Sequence, residues 1–216
     1  MNHRDQFGAM VTSGDAVAVR QFDVAVARLM TFNNDPVAEV DKATAIDPAL
    51  VMGHVLKGLL CVLGTEKSLL PDARAALEAA KVVSRGASDR EQLHLQALGA
   101  WIDGHLGDAC ALWERSLVDN PNDALAMLAA HQGDFFLGQS SELRDRVARR
   151  LPEIDRGCRL EGYYLGMHAF GVEEMGDYAC AEAAGTRAVA RELRNQAFDV
   201  VAHVAQHLGR GVALDR

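Results

Sequence analysis

Two histidines at helical spacing are the residues whose types most directly suggest chemistry. His203 and His207 are four residues apart, so both rings would lie on one face of a helix and could reach the same metal ion. The zinc motif H-E-x-x-H requires a glutamate directly after the first histidine, but Val204 stands there. A third ligand would have to come from elsewhere, so the sequence predicts no metal site and no cofactor, with this pair as the one candidate.

Other histidines recur along the chain at comparable places. Each of the following falls in the first helix of a predicted helical pair: His54, His131, His168 and His203. If those helices line a concave surface, their imidazoles could bind an acidic peptide or ligand at mildly acid pH. His168 also occupies a packing position of the apolar pattern, which favours a histidine inside the core. Both interpretations stay open from the sequence.

Carboxylates offer little for catalysis. Glu173 and Glu174 are adjacent and could do acid–base chemistry if burial separated their pKa values. Consecutive helical residues point about 100° apart, so these two groups cannot share a proton. The sequence contains neither a G-x-S-x-G motif nor a glycine-rich phosphate-binding loop. The sequence therefore predicts that the chain is not an enzyme.

A basic run stands out in a chain of net charge −8. It consists of Arg144, Arg146, Arg149 and Arg150. Such a run could bind a phosphate or an acidic tail. The interpretation that we prefer is a solvent-exposed helix face, paired with Glu142 and Asp145.

The elements that must position these side chains are helices. All five prolines fall between amphipathic stretches, where proline is best tolerated. Ser88 and Glu91 have the spacing of a capping box, which predicts a helix start. No stretch alternates polar and apolar residues, so we expect an all-α chain without strands. The eleven predicted helices span about 15–31, 36–46, 49–63, 68–84, 88–104, 108–119, 122–137, 140–151, 162–175, 177–192 and 195–208.

A helical hairpin over Leu165–Ala188 is the centre of this pattern. Leu165, His168, Ala169 and Val172 share one helical face, and Gly176-Asp177 interrupts it before a second helix. Small residues at 169, 181 and 188 would let the two helices approach closely. Leu106-Gly107-Asp108 recurs as Met175-Gly176-Asp177, 69 residues later. That offset is about two periods of the ~34-residue tetratricopeptide repeat, which predicts a superhelix of antiparallel helix pairs.

Four stretches also resemble a known family. They are A-I-D-P-A-L-V-M-G-H-V-L-K-G-L-L (45–60), L-R-D-R-V-A-R-R-L-P (143–152), G-Y-Y-L-G-M-H-A-F-G-V-E-E-M-G-D-Y (162–178) and, more loosely, V-A-H-V-A-Q-H-L-G-R (201–210). They are similar to the bacterial branch of the tetratricopeptide repeat protein 38 family. The resemblance implies an all-helical repeat fold with no established catalytic activity. Since family members continue for about as many residues again, it also implies that this chain lacks a C-terminal half.

Composition excludes some function classes. The acidic balance repels phosphate backbones, so we expect no nucleic-acid partner. No run approaches the ~18 apolar residues of a membrane span, and no apolar signal segment opens the chain, so we expect a cytoplasmic protein without a membrane partner. Cysteines at 61, 110, 158 and 180 form no C-x-x-C pair and are interpreted as small, reduced apolar residues.

Binding of a protein or peptide in a concave groove is the function that these patterns favour. The predicted groove residues are Tyr163, Gly166, Phe170, Glu173 and His131. Tyr163 and Phe170 would give apolar contact, Gly166 room for a backbone, and Glu173 a charge for a partner rich in lysine or arginine.

Two alternatives stay open beside this prediction. The first is an enzyme, or a binder of a small molecule or metal, that uses the groove histidines. The second is a homodimer through a terminal helix that exposes Val200, Val201, Val204 and Leu208. The predicted organisation is a partly flexible tail over 1–14, a helical repeat domain over 15–210 and a C-terminal tail over 211–216.

Overall fold

The chain folds as an all-α protein with one small β-hairpin at its N-terminus. The computed structural model describes residues 2–31, 35–154 and 159–191. The predicted eleventh helix and His203 and His207 lie outside these residues. The predicted helical domain (15–210) and C-terminal tail (211–216) also extend beyond the described residues, so these limits stay predictions.

The hairpin corrects the expectation that the chain has no strands. Strands β1 (Asn2–Arg4) and β2 (Met10–Thr12) pair antiparallel, with His3 opposite Val11. The turn between them is closed by Asp5, whose carboxylate accepts hydrogen bonds from the backbone N–H groups of Phe7 and Ala9. Val11 is completely buried, so the hairpin belongs to the core of the molecule.

Ten helices follow within the described residues, and their bounds agree with the predicted helices to within a few residues. They are α1 (Ala16–Met30), α2 (Pro36–Ile46), α3 (Val51–Leu63), α4 (Leu70–Val83), α5 (Asp89–Ile102), α6 (Leu106–Asp119), α7 (Ala124–Phe136), α8 (Ser140–Arg150), α9 (Arg159–Glu174) and α10, helical over 178–191. Short 3₁₀ turns at Lys67–Leu69 and Leu151–Glu153 precede α4 and follow α8.

The helix starts follow from capping chemistry. The predicted capping box is confirmed, because the Ser88 side chain accepts from the backbone N–H of Glu91 and the Glu91 side chain reaches back to Ser88. Asp35 caps α2, which has Pro36 in its first turn, where the missing N–H of proline costs nothing. Short polar side chains therefore divide an alanine- and leucine-rich chain into separate helices.

Three turns within the chain have the same geometry. Gly104, Gly138 and Gly176 each follow a helix with φ of +87°, +68° and +81°, a region that only glycine adopts without strain. They are 34 and then 38 residues apart. Thr65 occupies the corresponding turn after α3 with φ of +57°. Each turn reverses the chain into the next helix, so helix pairs recur at a nearly constant interval.

The helices pack on their neighbours in chain order around one continuous core. Contacts join α1 with α2, α3 with α4, α5 with α6, α6 with α7, and α8 with α9, while α3 also contacts α5. Glycines allow the closest approaches. A Cβ built on Gly171 of α9 would lie 2.5 Å from the backbone nitrogen of Arg144 in α8, so these two helices meet backbone to backbone.

Side chains from α5 hold the hairpin in place. Glu91 accepts hydrogen bonds from the backbone N–H and the hydroxyl of Thr12, at 2.8 and 2.6 Å. Arg90 donates to the carbonyl oxygen of Met10 at 2.9 Å. On α1, Asp23 accepts from the backbone N–H of Gln6 at 3.1 Å. Residues about 80 positions apart in sequence therefore fix the first strands.

Candidate functional site

Helix α9 brings most of the predicted groove residues onto one face. Tyr163, Gly166, Phe170 and Glu173 are spaced by three, four and three residues, which repeats close to the helical period. Gly166 and Glu173 are exposed, and Tyr163 and Phe170 are half-buried. Gly166 borders open space, because an added Cβ there would meet no atom within 4 Å.

An open groove of about 530 Å³ lies between α9 and α10. Gly166, Phe170 and Glu173 line it from α9, whereas Tyr163 lies outside its lining. From α10 come Tyr178, Ala181, Glu182, Gly185, Ala188 and Val189. Small residues form the floor of the groove, and Glu173 and Glu182 lie at its edge. The groove therefore combines an apolar surface with negative charge.

His131 supports this surface from beneath. The side chain is only 2% exposed, and its ring centre lies 5.9 Å from that of Phe170. Its Nε2 is 3.1 Å from the carbonyl oxygen of Met167. Burial lowers the pKa of His131 to about 4, so the ring is neutral at physiological pH, with Nε2–H donating to Met167. This residue holds α7 against α9 and does not line the groove itself.

A row of aromatic rings extends from Phe170 across three further helices. Its ring centres are 5.5 Å apart for Phe170 and Phe135, 6.0 Å for Phe135 and Phe136, and 6.1 Å for Phe136 and Trp101. Trp101 then meets Trp113 edge-on at 5.8 Å. The row is continuous, and Phe135 and Phe136 remain 44% and 42% exposed.

A second cavity of about 480 Å³ opens at the other end of the row, beside Trp101 and Phe136. Its wall includes Cys61, Glu66 and Lys67 from the end of α3 and the turn that follows. Because Phe170 lines the first groove and Trp101 the second, the aromatic row joins two open cavities. We call Trp101, Phe135, Phe136 and Phe170 the aromatic strip.

The sequence did not single out Phe135 and Phe136. Both lie in the last turn of α7, directly before the turn at Gly138. Both side chains stay partly exposed there, although the earlier residues of α7 are almost all buried. The four residues F-F-L-G (135–138), two phenylalanines directly before a glycine turn, were the available signal for an exposed apolar surface.

The arginine run differs from its predicted arrangement. Arg144 pairs with Asp145, and Arg149 pairs with Glu142, as expected. The expectation of a solvent-exposed face is wrong for two further arginines, because Arg146 is 4% and Arg150 8% exposed.

Both buried arginines contact Glu114 of α6, and Arg146 also donates two hydrogen bonds to Asp134 of α7, at 2.8 and 3.0 Å. Burial by itself raises the pKa of Glu114, but Arg146 and Arg149 lower it further than burial raises it. These arginines thus hold three helices together and are occupied by internal carboxylates.

A second buried polar cluster lies at the start of α7. The carboxylate of Asp123 accepts two hydrogen bonds from Arg90 and lies 2.9 Å from Nε2 of His94. Trp113 donates from Nε1 to Nδ1 of His94 at 3.2 Å. Burial alone would raise the pKa of Asp123, but the charge of Arg90 and the hydrogen bonds from Arg90 and His94 hold it well below its ordinary value. Since both imidazole nitrogens are engaged, His94 positions Trp113 and has no free nitrogen for proton transfer.

The remaining candidate residues do not converge. His54 bonds the carbonyl oxygen of Pro48 through Nε2 at 2.8 Å. His168 is half-buried, and burial, with Arg144 and Arg187, lowers its pKa. Within the described ranges, no three His, Cys, Asp or Glu side chains group in a way that could hold a metal ion.

The described cysteines are free thiols with different surroundings. Cys110 is buried, and burial together with Asp134 raises its pKa to about 12, which fits the predicted role of a small apolar residue. Cys180 is exposed, contrary to that interpretation. Cys158 lies outside the described residues.

In comparisons with known proteins, no protein-family model matches the chain, and no solved structure matches it. Among the described helices, none is both long enough and apolar enough to cross a bilayer.

Proposed function

We propose that this protein is a binding scaffold built as a tetratricopeptide-repeat-like superhelix. The spacing of the turns at Gly104, Gly138 and Gly176 supports that architecture, since the intervals of 34 and 38 residues are each close to one ~34-residue repeat. Packing of helices on their chain neighbours supports it too. Membership of the bacterial branch of the tetratricopeptide repeat protein 38 family belongs to the same proposal.

The partner that we propose is a peptide or protein segment with apolar and basic side chains. The aromatic strip is the observation that carries this proposal. Phe135 and Phe136 expose two adjacent rings, and contiguous exposed apolar surface marks interaction sites. Two open cavities flank the strip, so apolar side chains of an extended partner could enter on both sides. Large aromatic residues are also the ones that dominate binding energy at interfaces.

The acidic side chains beside the groove favour a basic partner. Glu173 and Glu182 stand at the rim of the groove between α9 and α10, and both are exposed. The chain as a whole carries a net charge of −8. Lysine or arginine side chains would be attracted to this rim, which speeds encounter and fixes orientation.

Each predicted groove residue has a role in this arrangement. Phe170 contributes its ring to the strip, Gly166 leaves space for a partner's backbone, and Glu173 offers a charge contact. Tyr163 supplies apolar surface one turn earlier on α9. His131 keeps Phe170 in position from below. A cytoplasmic location completes the proposal, since reduced thiols suit that compartment.

The test uses a displayed library of random peptides selected on the purified protein. Anisotropy of the selected peptides, made with a fluorophore, then measures affinity. We expect enrichment of lysine or arginine beside aromatic or aliphatic residues. Replacing both Phe135 and Phe136 with serine should weaken binding about thirtyfold, the loss of a typical hot spot. Val82→Ser is the matched control, because Val82 is 81% exposed on α4, away from the strip.

Three results would overturn the proposal. The first is a selection that yields no binder, and the second is binding that the two phenylalanine substitutions leave unchanged. The third is a preference for acidic peptides over basic ones. Stoichiometric metal in the purified protein would favour the alternative of a metal or small-molecule binder that uses histidines.

A further inference from the structure

The two cavities at the ends of the aromatic strip differ in chemistry. The groove between α9 and α10 has a floor of alanine and glycine with two carboxylates at its edge. The second cavity is instead lined by large apolar side chains, which are Val62, Leu70, Trp101, Ile102, Leu106 and Phe136. A segment bound along the strip would therefore meet a different environment at each end.

We propose that the second cavity holds one large apolar side chain of the partner, and that this anchor lies about five residues from the partner's basic residue. The basic residue would occupy the groove between α9 and α10. This inference rests on the proposed function, since it specifies the motif that a segment bound to the strip must carry.

The size and charge of the second cavity favour an apolar anchor. Its volume is about 480 Å³, and Trp101 of α5 and Phe136 of α7 both form part of its wall. The charged residues in its described lining, Glu66 and Lys67, are adjacent and of opposite sign, so together they give no net attraction for a charged group. Aromatic and large aliphatic side chains gain most from leaving water for such a site.

The groove between α9 and α10 suits lysine or arginine. Ala169 of α9 faces Gly185 of α10, and a Cβ built on Gly185 would lie 3.9 Å from that of Ala169. The aliphatic stem of a long basic side chain can lie on this apolar floor while its charged head stays in water. Glu173 and Glu182 lie at the edge of the groove, where that head would be.

The aromatic strip sets the distance between these two ends. From Phe170 to Trp101 its ring centres follow one another at 5.5, 6.0 and 6.1 Å, so the two ends lie at most about 18 Å apart. An extended chain rises about 3.3 Å per residue, so about five residues cover the strip. Glu173 lies one helical turn beyond Phe170, within reach of a flexible lysine side chain.

A strained turn beside the second cavity supports its role in binding. Thr65 has a φ of +57° and is the one non-glycine residue with a positive φ in the described part of the chain. The corresponding turns after α5, α7 and α9 have glycine. A β-branched residue in this region is strained, yet here its side chain lines the cavity. Backbone strain of this kind is concentrated at functional sites.

Changing the spacing of a bound peptide tests the inference. The probe is the strongest peptide from the random-peptide selection, with glycines inserted or removed between its basic and its apolar residue. We expect the highest affinity near five residues and a loss of about tenfold when the spacing changes by three. Equal affinity at all spacings, with binding that still requires Phe135 and Phe136, would overturn this inference and leave the proposed function intact. A selection without any binder would overturn both.

Cys61 reports whether the second cavity is occupied, because it lines that cavity. With Cys158 and Cys180 changed to serine, buried Cys110 is the only other thiol. Peptide at about ten times its Kd should slow the reaction of Cys61 with a maleimide about tenfold. The same peptide with its apolar residue changed to glycine, at a concentration that saturates binding, should leave the rate unchanged. If the unaltered peptide binds and does not slow the reaction, the cavity is empty and the inference is wrong.

Thr65→Gly separates binding from stability. Release of the strain should raise the Tm by about 2 °C, while loss of the side chain should weaken peptide binding about fourfold. This effect on affinity should disappear for the peptide that has glycine at the apolar position. Ser68→Ala is the matched control, because Ser68 lies in the following 3₁₀ turn and outside the described lining. A lower Tm with unchanged affinity would assign Thr65 to the stability of the turn and would overturn the inference.

Discussion

The guanidinium group of Arg90 donates two hydrogen bonds to the carboxylate of Asp123, at 2.7 and 3.0 Å, with both side chains buried. The same carboxylate accepts from the hydroxyl of Ser116 at 3.0 Å and from the backbone N–H of Ala126 at 3.1 Å. One side chain thus connects α5 and α6 and caps α7. The position of the tryptophan end of the aromatic row depends on it, since His94 bridges Asp123 and Trp113.

Asp123→Ala should lower the free energy of unfolding by about 3–5 kcal/mol, because it leaves the charge of Arg90 buried without its main partner. Urea denaturation followed by tryptophan fluorescence measures this loss. Asp119→Ala is the matched control, since Asp119 is exposed at the end of α6, and its midpoint should stay near that of the parent. Equal midpoints for the two variants would contradict the assigned role of Asp123.

The stability of the protein should fall between about pH 6.5 and pH 4 through His131. Burial lowers the pKa of this histidine in the folded state from 6.5 to about 4. As the pH falls, His131 is therefore protonated in the unfolded chain before it is protonated in the folded protein. The stabilising contribution is complete above pH 6.5 and is lost as the pH falls towards 4, up to about 3 kcal/mol.

Urea titrations from pH 7.5 to 4.5, on the parent and on His131→Leu, isolate this effect. As the pH falls, the unfolding free energy of the parent should decrease relative to that of His131→Leu. His105→Gln removes an exposed histidine and should keep the pH profile of the parent. A difference between parent and His131→Leu that does not change with pH would refute this assignment.

Two glycines of α9 should respond in opposite ways to alanine. Gly171→Ala drives a Cβ into the backbone of α8, 2.5 Å from the nitrogen of Arg144, and should cost about 1–3 kcal/mol by overpacking. Gly166→Ala meets open space and should stabilise the helix by about 0.5–1 kcal/mol. Thermal unfolding of both variants gives the signs directly. A destabilising Gly166→Ala would show that its surface is already covered.

Docking of the hairpin should weaken as the pH rises through 7. Burial raises the pKa of Asp23 from 3.8 to about 7, with the nearby charge of Asp5 adding to the rise. A raised carboxyl pKa stabilises the fold fully below about pH 4, and this contribution is lost as the pH passes the folded-state value.

Hydrogen exchange over residues 2–12, corrected for the intrinsic effect of pH, should therefore show less protection at pH 8 than at pH 5.5. In Asp23→Asn the protection should be nearly the same at both values, because the amide does not titrate. Asp119→Asn serves as the exposed control. A parent hairpin that is protected equally at pH 5.5 and pH 8 would contradict the prediction.

Local signals explain why the helices could be predicted from sequence. The capping box at Ser88 and Glu91 acts over three residues, and Pro36 acts on its own helix, so no distant partner is needed. The hairpin had no such signal. Its strands are three residues long, too short for an alternating pattern, and they are held by Arg90 and Glu91, far away in sequence.

The same difference between local signals and distant partners applies to the candidate site. Gly166, Phe170 and Glu173 could be placed on one helical face from their spacing alone, whereas the burial of Arg146 depends on Asp134 and Glu114 from two other helices. His131 could be assigned to a first helix, but only its contact with Met167 in α9 reveals that it lies inside. Pattern analysis finds faces within one helix, and it misses polar groups whose burial is balanced by partners elsewhere in the chain.

The bond between Thr12 and Glu91 spans 79 residues, and this separation sets an order of events during synthesis. Residues 2–12 leave the ribosome well before their anchors on α5, which emerge only after four further helices have been made. The hairpin must therefore wait for about 80 further residues before it can reach its final position. Until then its buried valine, Val11, has to be sheltered by other means.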